Sequence, residues 1–148
     1  MPRNSDKSIV LIDASALMAA TLKETGASRV IINLAQKNFI KIVLTDLIFK
    51  EAHRNLKAKY GQAELLTFFQ LLKDFKEQIK PHALESDYLD LIDFIEPKDF
   101  HVLAAAQKYQ ADYLVTLDKK HFFTEKLSNA KMPFQILLPG DFLTKFRE

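Results

Sequence analysis

The chain of 148 residues contains no cysteine, which excludes disulfides, thiol nucleophiles and cysteine-ligated zinc and fits a reducing cytosol. It has only three glycines and no glycine-rich loop that could cradle a phosphate. Long apolar runs are absent as well. The first eight residues are polar, and the run Ile9, Val10, Leu11, Ile12 is too short for a signal peptide or a membrane span. Neither sign of charge dominates, since a net charge of +2 with 27% charged residues neither demands nor excludes a nucleic-acid partner. Internal repeats, low-complexity tracts and linkers are also missing. What remains is a sequence with 48% hydrophobic residues, long enough to bury a core, and we expect one soluble cytoplasmic domain over residues 1–148.

The stretch 97–118, PKDFHVLAAAQKYQADYLVTLD, organises the rest. Pro97 at a starting position and the run Val102, Leu103, Ala104, Ala105, Ala106 predict a helix with Asp99 in its first turn, ending near Tyr109. Tyr113, Leu114, Val115 and Thr116 then predict a short strand with Asp118 just beyond it. In a parallel sheet such a helix starts at the C-terminal edge, runs back, and the strand returns to that edge. Asp99 and Asp118 become neighbours in space. Asp99 shares a helix side with Leu103 and Ala106, so it leans toward the apolar face.

In chain order, Ile9 to Ile12 reads as a strand buried on both faces, stopping at Asp13. A carboxylate there stands where open α/β sheets bind ligands; the plainer alternative is a cap for the helix that follows from near Ser15. Ser28 is the expected cap of a second helical segment carrying Val30, Ile31, Leu34 and Ala35. Ile40, Ile42, Val43 and Leu44 predict a second strand, followed by a helix from about Leu47 to Tyr60 that Gly61 stops. Leu47, Ile48, Ala52, Leu56 and Tyr60 mark its inner side, and Lys50, His53, Arg54 and Lys57 its outer one. Glu51 breaks that division. By spacing it projects from the inner side, which is costly unless it is paired or bound to a cation; the alternative is a border residue reaching water.

The Phe- and Leu-rich segment 63–75 predicts a helix that is either core or a surface needing a partner, and a homodimer is the partner we expect. Residues 79–84, with Pro81 inside, suggest a short edge strand. Asp87, Asp90, Asp93 and Glu96 recur every three residues, a drifting acidic helix face opposite Leu89, Ile92 and Ile95, read as solvated rather than as a second metal site. Lys119, Lys120, His121, Phe122 and Phe123 form a basic and aromatic cluster that either holds a phosphate backbone and stacks a base or is a solvated turn over two core phenylalanines. Ile136, Leu137 and Leu138 predict a last strand, turned by Pro139 and Gly140 into a closing helix over 141–146.

This order implies a three-layer α/β fold with helices on both faces of a mostly parallel sheet, and it brings Asp13, Glu51, Asp99 and Asp118 to one edge. Crowded carboxylates repel, so their pKa values rise and stability suffers unless a cation neutralises them. Oxygen-only ligands select a hard ion such as Mg²⁺ or Mn²⁺. Such an ion acidifies bound water and stabilises charge on a phosphoryl oxygen, which points to metal-assisted phosphodiester hydrolysis.

At these residues the sequence resembles the PIN domain family of metal-dependent ribonucleases, which includes the toxins of bacterial and archaeal toxin–antitoxin pairs. IDASALM around Asp13, TDLIFKEAHRNL around Glu51 and PKDFHVLAAAQKYQADYLVTLD with Asp99 and Asp118 carry the resemblance, the last being the most specific. The resemblance implies a five-stranded sheet in the order 3-2-1-4-5, a site of these acids binding Mg²⁺ or Mn²⁺, and cleavage of single-stranded RNA. It implies supporting hydroxyls at Ser15 and Thr116 and a cognate antitoxin as partner. By proximity, Lys119, Lys120 and Arg54 are candidates for steering the RNA. Where many relatives place a further acid, this chain has His121, which either weakens a second metal position or makes metal affinity more pH-dependent. The alternative function is a non-catalytic PIN-like module binding RNA or protein. A phospho-acceptor receiver domain fits less well, because only one acid ends the first strand and Glu51 sits on a helix.

Overall fold

A computed structural model describes residues 7–147; most of the polar opening stretch lies outside the described residues. The continuous apolar run Ile9–Ile12 forms β1, and Lys41–Thr45 forms β2 beside it, paired in parallel with Leu11 opposite Val43. On the other side of β1 lies β4, Tyr113–Val115, with Leu11 opposite Leu114. The short strands β3, Ile79–Lys80, and β5, Gln135–Leu137, complete a five-stranded sheet in the order β3-β2-β1-β4-β5, and every pairing is parallel. As expected, the strands next to the centre have no polar face, because helices cover both sides. Val10, Leu11, Ile12, Leu44, Leu114 and Val115 are fully buried.

The strand order fixes where the helices lie. From β1 the chain moves to β2 through α1, Ala14–Leu22, and α2, Ala27–Gln36, and then to β3 through α3, Asp46–Lys59, and α4, Gln62–Leu72. These crossovers step the same way, so right-handed connections put α1 to α4 on one face, and α1 does contact α2, α3 and α4. The return to β4 runs through α5, Phe100–Lys108, which right-handedness places on the opposite face. The short α6, Lys119–Phe122, and α7, Glu125–Asn129, precede β5, and α8, Pro139–Arg147, closes against α2. The described residues include no helix long and apolar enough to cross a membrane.

Several expectations need correcting. Ser28 does not cap α2: Gly26 stands at that position without a side-chain bond, and Ser28 is buried one residue inside the helix. On α3, Ile48, Ala52 and Leu56 are buried as expected, but Tyr60 falls beyond the last turn and is exposed. The 63–75 stripe divides, with Phe68, Leu72 and Phe75 in the core while Leu66 and Phe69 face outward. The helix α4 ends at Leu72 and a 3-10 segment, Lys73–Gln78, carries Phe75 inward. The edge strand is shorter than expected because Pro81 has no N–H to continue the ladder. The acidic helix of 86–96 does not form. Two 3-10 helices, Glu85–Asp87 and Leu89–Phe94, take its place, burying Leu91 and leaving Leu89 and Ile92 exposed.

Candidate metal centre

β1 ends at Asp13, whose N–H still donates to Val115 O of β4 at 3.2 Å. That last rung sets Asp13 against Thr116, one residue past the end of β4. The Thr116 hydroxyl donates to Asp13 Oδ2 at 2.5 Å, and the Ser15 hydroxyl to Oδ1 at 2.7 Å. Oδ1 also accepts from Ala16 N at 3.1 Å, so Asp13 caps α1, and the two readings of this residue are compatible. The hydroxyls bridge onward: Ser15 Oγ accepts from Leu117 N and Thr116 Oγ1 from Asp118 N, each at 3.0 Å. The turn after β4 is thereby tied to the first carboxylate. Asp13 is 5% exposed, and burial raises its pKa against the lowering effect of these hydrogen bonds, with the Asp118 charge adding to the rise.

The other acids face the same place. Glu51, half-buried on α3, has its pKa raised by burial and by the charges of Asp13 and Asp99, while Arg54 and Lys98 act the other way. Asp99 ends a 3-10 turn, Pro97–Asp99, directly before α5. Burial and the charges of Asp118 and Glu96 raise its pKa, and His121 and Lys98 oppose the rise. Asp118 caps α6 by accepting from His121 N at 3.2 Å through Oδ1, and its Oδ2 lies 2.8 Å from His121 Nδ1. The couplings close a ring, Asp13 to Glu51 to Asp99 to Asp118 and back, in which each carboxylate repels two others.

One buried oxygen in this ring is left without a hydrogen bond. Asp99 Oδ2 is buried and lacks a hydrogen-bond partner; His121 Nδ1, at 3.5 Å, makes only an electrostatic contact. A buried acceptor of this kind costs stability unless something else meets it. A divalent cation fits: it would be ligated by Asp99 and Asp118, with Asp13 and Glu51 around it, and it would offset both the burial and the repulsion that raise the pKa values of Asp13, Glu51 and Asp99. Among the described residues one group of three has ligand atoms all within 4.8 Å of one another, and it is Asp99, Asp118 and His121.

The supporting residues separate. Ser15 and Thr116 lie where the sequence suggested, bonded to Asp13. Arg54 is near enough to Glu51 to act on its charge, whereas Lys119 and Lys120 stand exposed on α6 at the rim. Lys98 was overlooked, although it adjoins Asp99 in sequence and acts on both Asp99 and Glu51. In the 119–123 cluster Phe122 is core and Phe123 is 40% exposed, so the cluster is partly turn and partly available surface.

Comparison with known proteins agrees with the fold. The family model described as PIN domain matches residues 9–120. Among curated proteins there is no significant match. Among solved structures, the crystal structure of PAE2754 from Pyrobaculum aerophilum is similar with a TM-score of 0.64 and 17% identity over 98% of this chain and 93% of that one. FitAcB from Neisseria gonorrhoeae is similar at 0.63 with 16% identity, over 88% of this chain and 98% of its own. VapBC2 from Rickettsia felis, bound to a DNA fragment from their promoter, is similar at 0.59 with 14% identity over the same shares.

Proposed function

The chain belongs to the PIN domain family, and from that premise we propose that it is a metal-dependent endoribonuclease that hydrolyses phosphodiester bonds of single-stranded RNA in the cytoplasm, as the toxin of a toxin–antitoxin pair. The whole chain, 1–148, is taken as one PIN-like unit. The observation that carries the reading is the ring of four acids at the C-terminal edge of the sheet, with the buried Asp99 Oδ2 left without a partner inside it. The membership of the family, whose proteins are generally nucleases, supports it further. The likeness to VapBC2 and FitAcB supports the antitoxin partner.

Bound Mg²⁺ or Mn²⁺ would supply an acidified water and neutralise charge on the phosphoryl oxygens. The protein's own part is to hold and orient. Asp13 is held in orientation by Thr116 and Ser15, and Asp118 lies near enough to act on its charge, as Asp118 does on Asp99. Glu51, with its raised pKa, is placed to hold the attacking water and take its proton as the water adds to phosphorus and the bond to the leaving oxygen breaks. Lys98 and Arg54, which act on the acids' charges, and the exposed Lys119 and Lys120 that follow Asp118 in sequence would steer the phosphate backbone.

The test is calorimetric titration of Mn²⁺ into the wild type and an Asp13→Asn variant, followed by incubation of both with a labelled single-stranded RNA. We expect the wild type to bind and cut and the variant to do neither. A wild type that binds no metal would sink the catalytic reading and leave a binding module in its place.

A further inference from the structure

We propose that His121 is itself a metal ligand, and that its nitrogen makes this site prefer Mn²⁺, Co²⁺ or Zn²⁺ to Mg²⁺. The inference rests on the nuclease reading and deepens it. Its ground is the arrangement of three side chains. His121 Nδ1 lies 2.8 Å from Asp118 Oδ2 and 3.5 Å from Asp99 Oδ2, and the three ligand atoms fall within 4.8 Å of one another. An ion held about 2.1 Å from each donor sets neighbouring donors roughly 3 Å apart, so these spacings need little adjustment to accept one.

The imidazole is also held in place. Its side chain is 17% exposed, and the His121 backbone N–H donates to Asp118 Oδ1, which fixes the start of α6 and the ring over the carboxylates. Asp118 Oδ2 and Asp99 Oδ2 both look toward Nδ1, and the second of these has no hydrogen bond of its own. A bound ion would take the place between them and would need Nδ1 unprotonated, with any proton there released to solvent and the neutral ring carrying its proton on Nε2. Two carboxylate oxygens and one imidazole nitrogen form a mixed donor set, and imidazole favours the first-row transition ions where carboxylate and water alone suit Mg²⁺. The plainer role for His121, a second hydrogen-bond partner for its helix cap, explains the contact with Asp118 but leaves Asp99 Oδ2 unmet.

The experiment is pulsed electron paramagnetic resonance on the Mn²⁺-loaded protein, read for coupling to ¹⁴N, with calorimetric affinities for Mn²⁺ and Mg²⁺ measured alongside. Wild type, His121→Gln, His121→Asp and Asp99→Asn are compared. We expect ¹⁴N coupling in the wild type, lost in His121→Gln, and a ratio of Mn²⁺ to Mg²⁺ affinity that falls about tenfold or more in His121→Asp. Mn²⁺ that binds, is lost in Asp99→Asn and yet gives no ¹⁴N coupling overturns this inference and leaves the nuclease reading standing. Coupling that persists in His121→Gln assigns the nitrogen to another histidine and overturns it equally. Absence of Mn²⁺ binding by the wild type overturns both.

Discussion

Asp99 is the residue at which stability and activity are set against each other. Without a cation it is a half-buried carboxylate beside Asp118 and Glu51, its buried Oδ2 unbonded. Asparagine removes the charge and the repulsion together, so Asp99→Asn should melt a few degrees higher than the wild type in EDTA and lose cleavage by about 100-fold or more. Differential scanning calorimetry and a gel-based cleavage assay read the two effects. The pH dependence follows from burial together with the same repulsion. Asp13, Glu51 and Asp99 all titrate above the ordinary 3.8 of Asp and 4.5 of Glu, so between those values and the raised ones the folded state binds more protons than the unfolded chain. Their contribution to the metal-free protein therefore falls as pH rises through that window and recovers below it. Since an ion binds only the ionised form, the gain in melting temperature from Mn²⁺ should be larger at about pH 7 than at about pH 5. Equal gains at both would contradict the assignment.

At the scale of elements, the crossover between β3 and α5 is held by a contact that no periodicity announces. Asp46 Oδ1, at the start of α3, accepts from Leu47 N at 2.9 Å and from His82 N at 3.0 Å, and the His82 ring lies 3.0 Å from the same atom. Burial works against ionisation of Asp46, but the hydrogen bonds and charge of His82 outweigh it and hold its pKa below the ordinary value. That stabilisation is present above the ordinary carboxylate range and is lost as pH falls through the lowered value. Asp46→Ala should cost about 1 kcal/mol, since the pair is partly exposed, and hydrogen exchange should find the His82 amide deprotected while the amides of β1 stay protected. The strands and their terminal acids were legible because an apolar run that stops at a carboxylate is a local pattern, as at Ile12 and Asp13. The 86–96 crossover was not. Its spacing favoured Leu89 and Ile92 inward, but tertiary packing against α5 selected Leu91 and wound the chain as 3-10 turns. Lys98 escaped notice for a related reason, because its effect on Glu51 depends on two helices meeting at an edge.

For the molecule as a whole, α4 presents an apolar outer side to solvent. Phe49, His53, Phe68 and Phe69 form one aromatic cluster between α3 and α4, yet Phe69 is 45% and Leu66 59% exposed at its outer side. If copies of the chain pair through this surface, Leu66→Ser with Phe69→Ser should shift sedimentation toward the monomer while changing unfolding stability by less than about 1 kcal/mol per site. A dimer unchanged by both substitutions would move the interface elsewhere. The topology also has a consequence in time. Asp13 lies early in the chain, but the Thr116 hydroxyl that fixes it is 103 residues away, and β1 stays bare on one side until β4 pairs with it. Contacts so distant close late in folding. A ribosome making this protein would hold, until residue 99 is added, a nascent chain with at most two of the four acids synthesised and no site to arm. Under the proposed reading, any cleavage of its own message would begin only once residue 118 has cleared the exit tunnel.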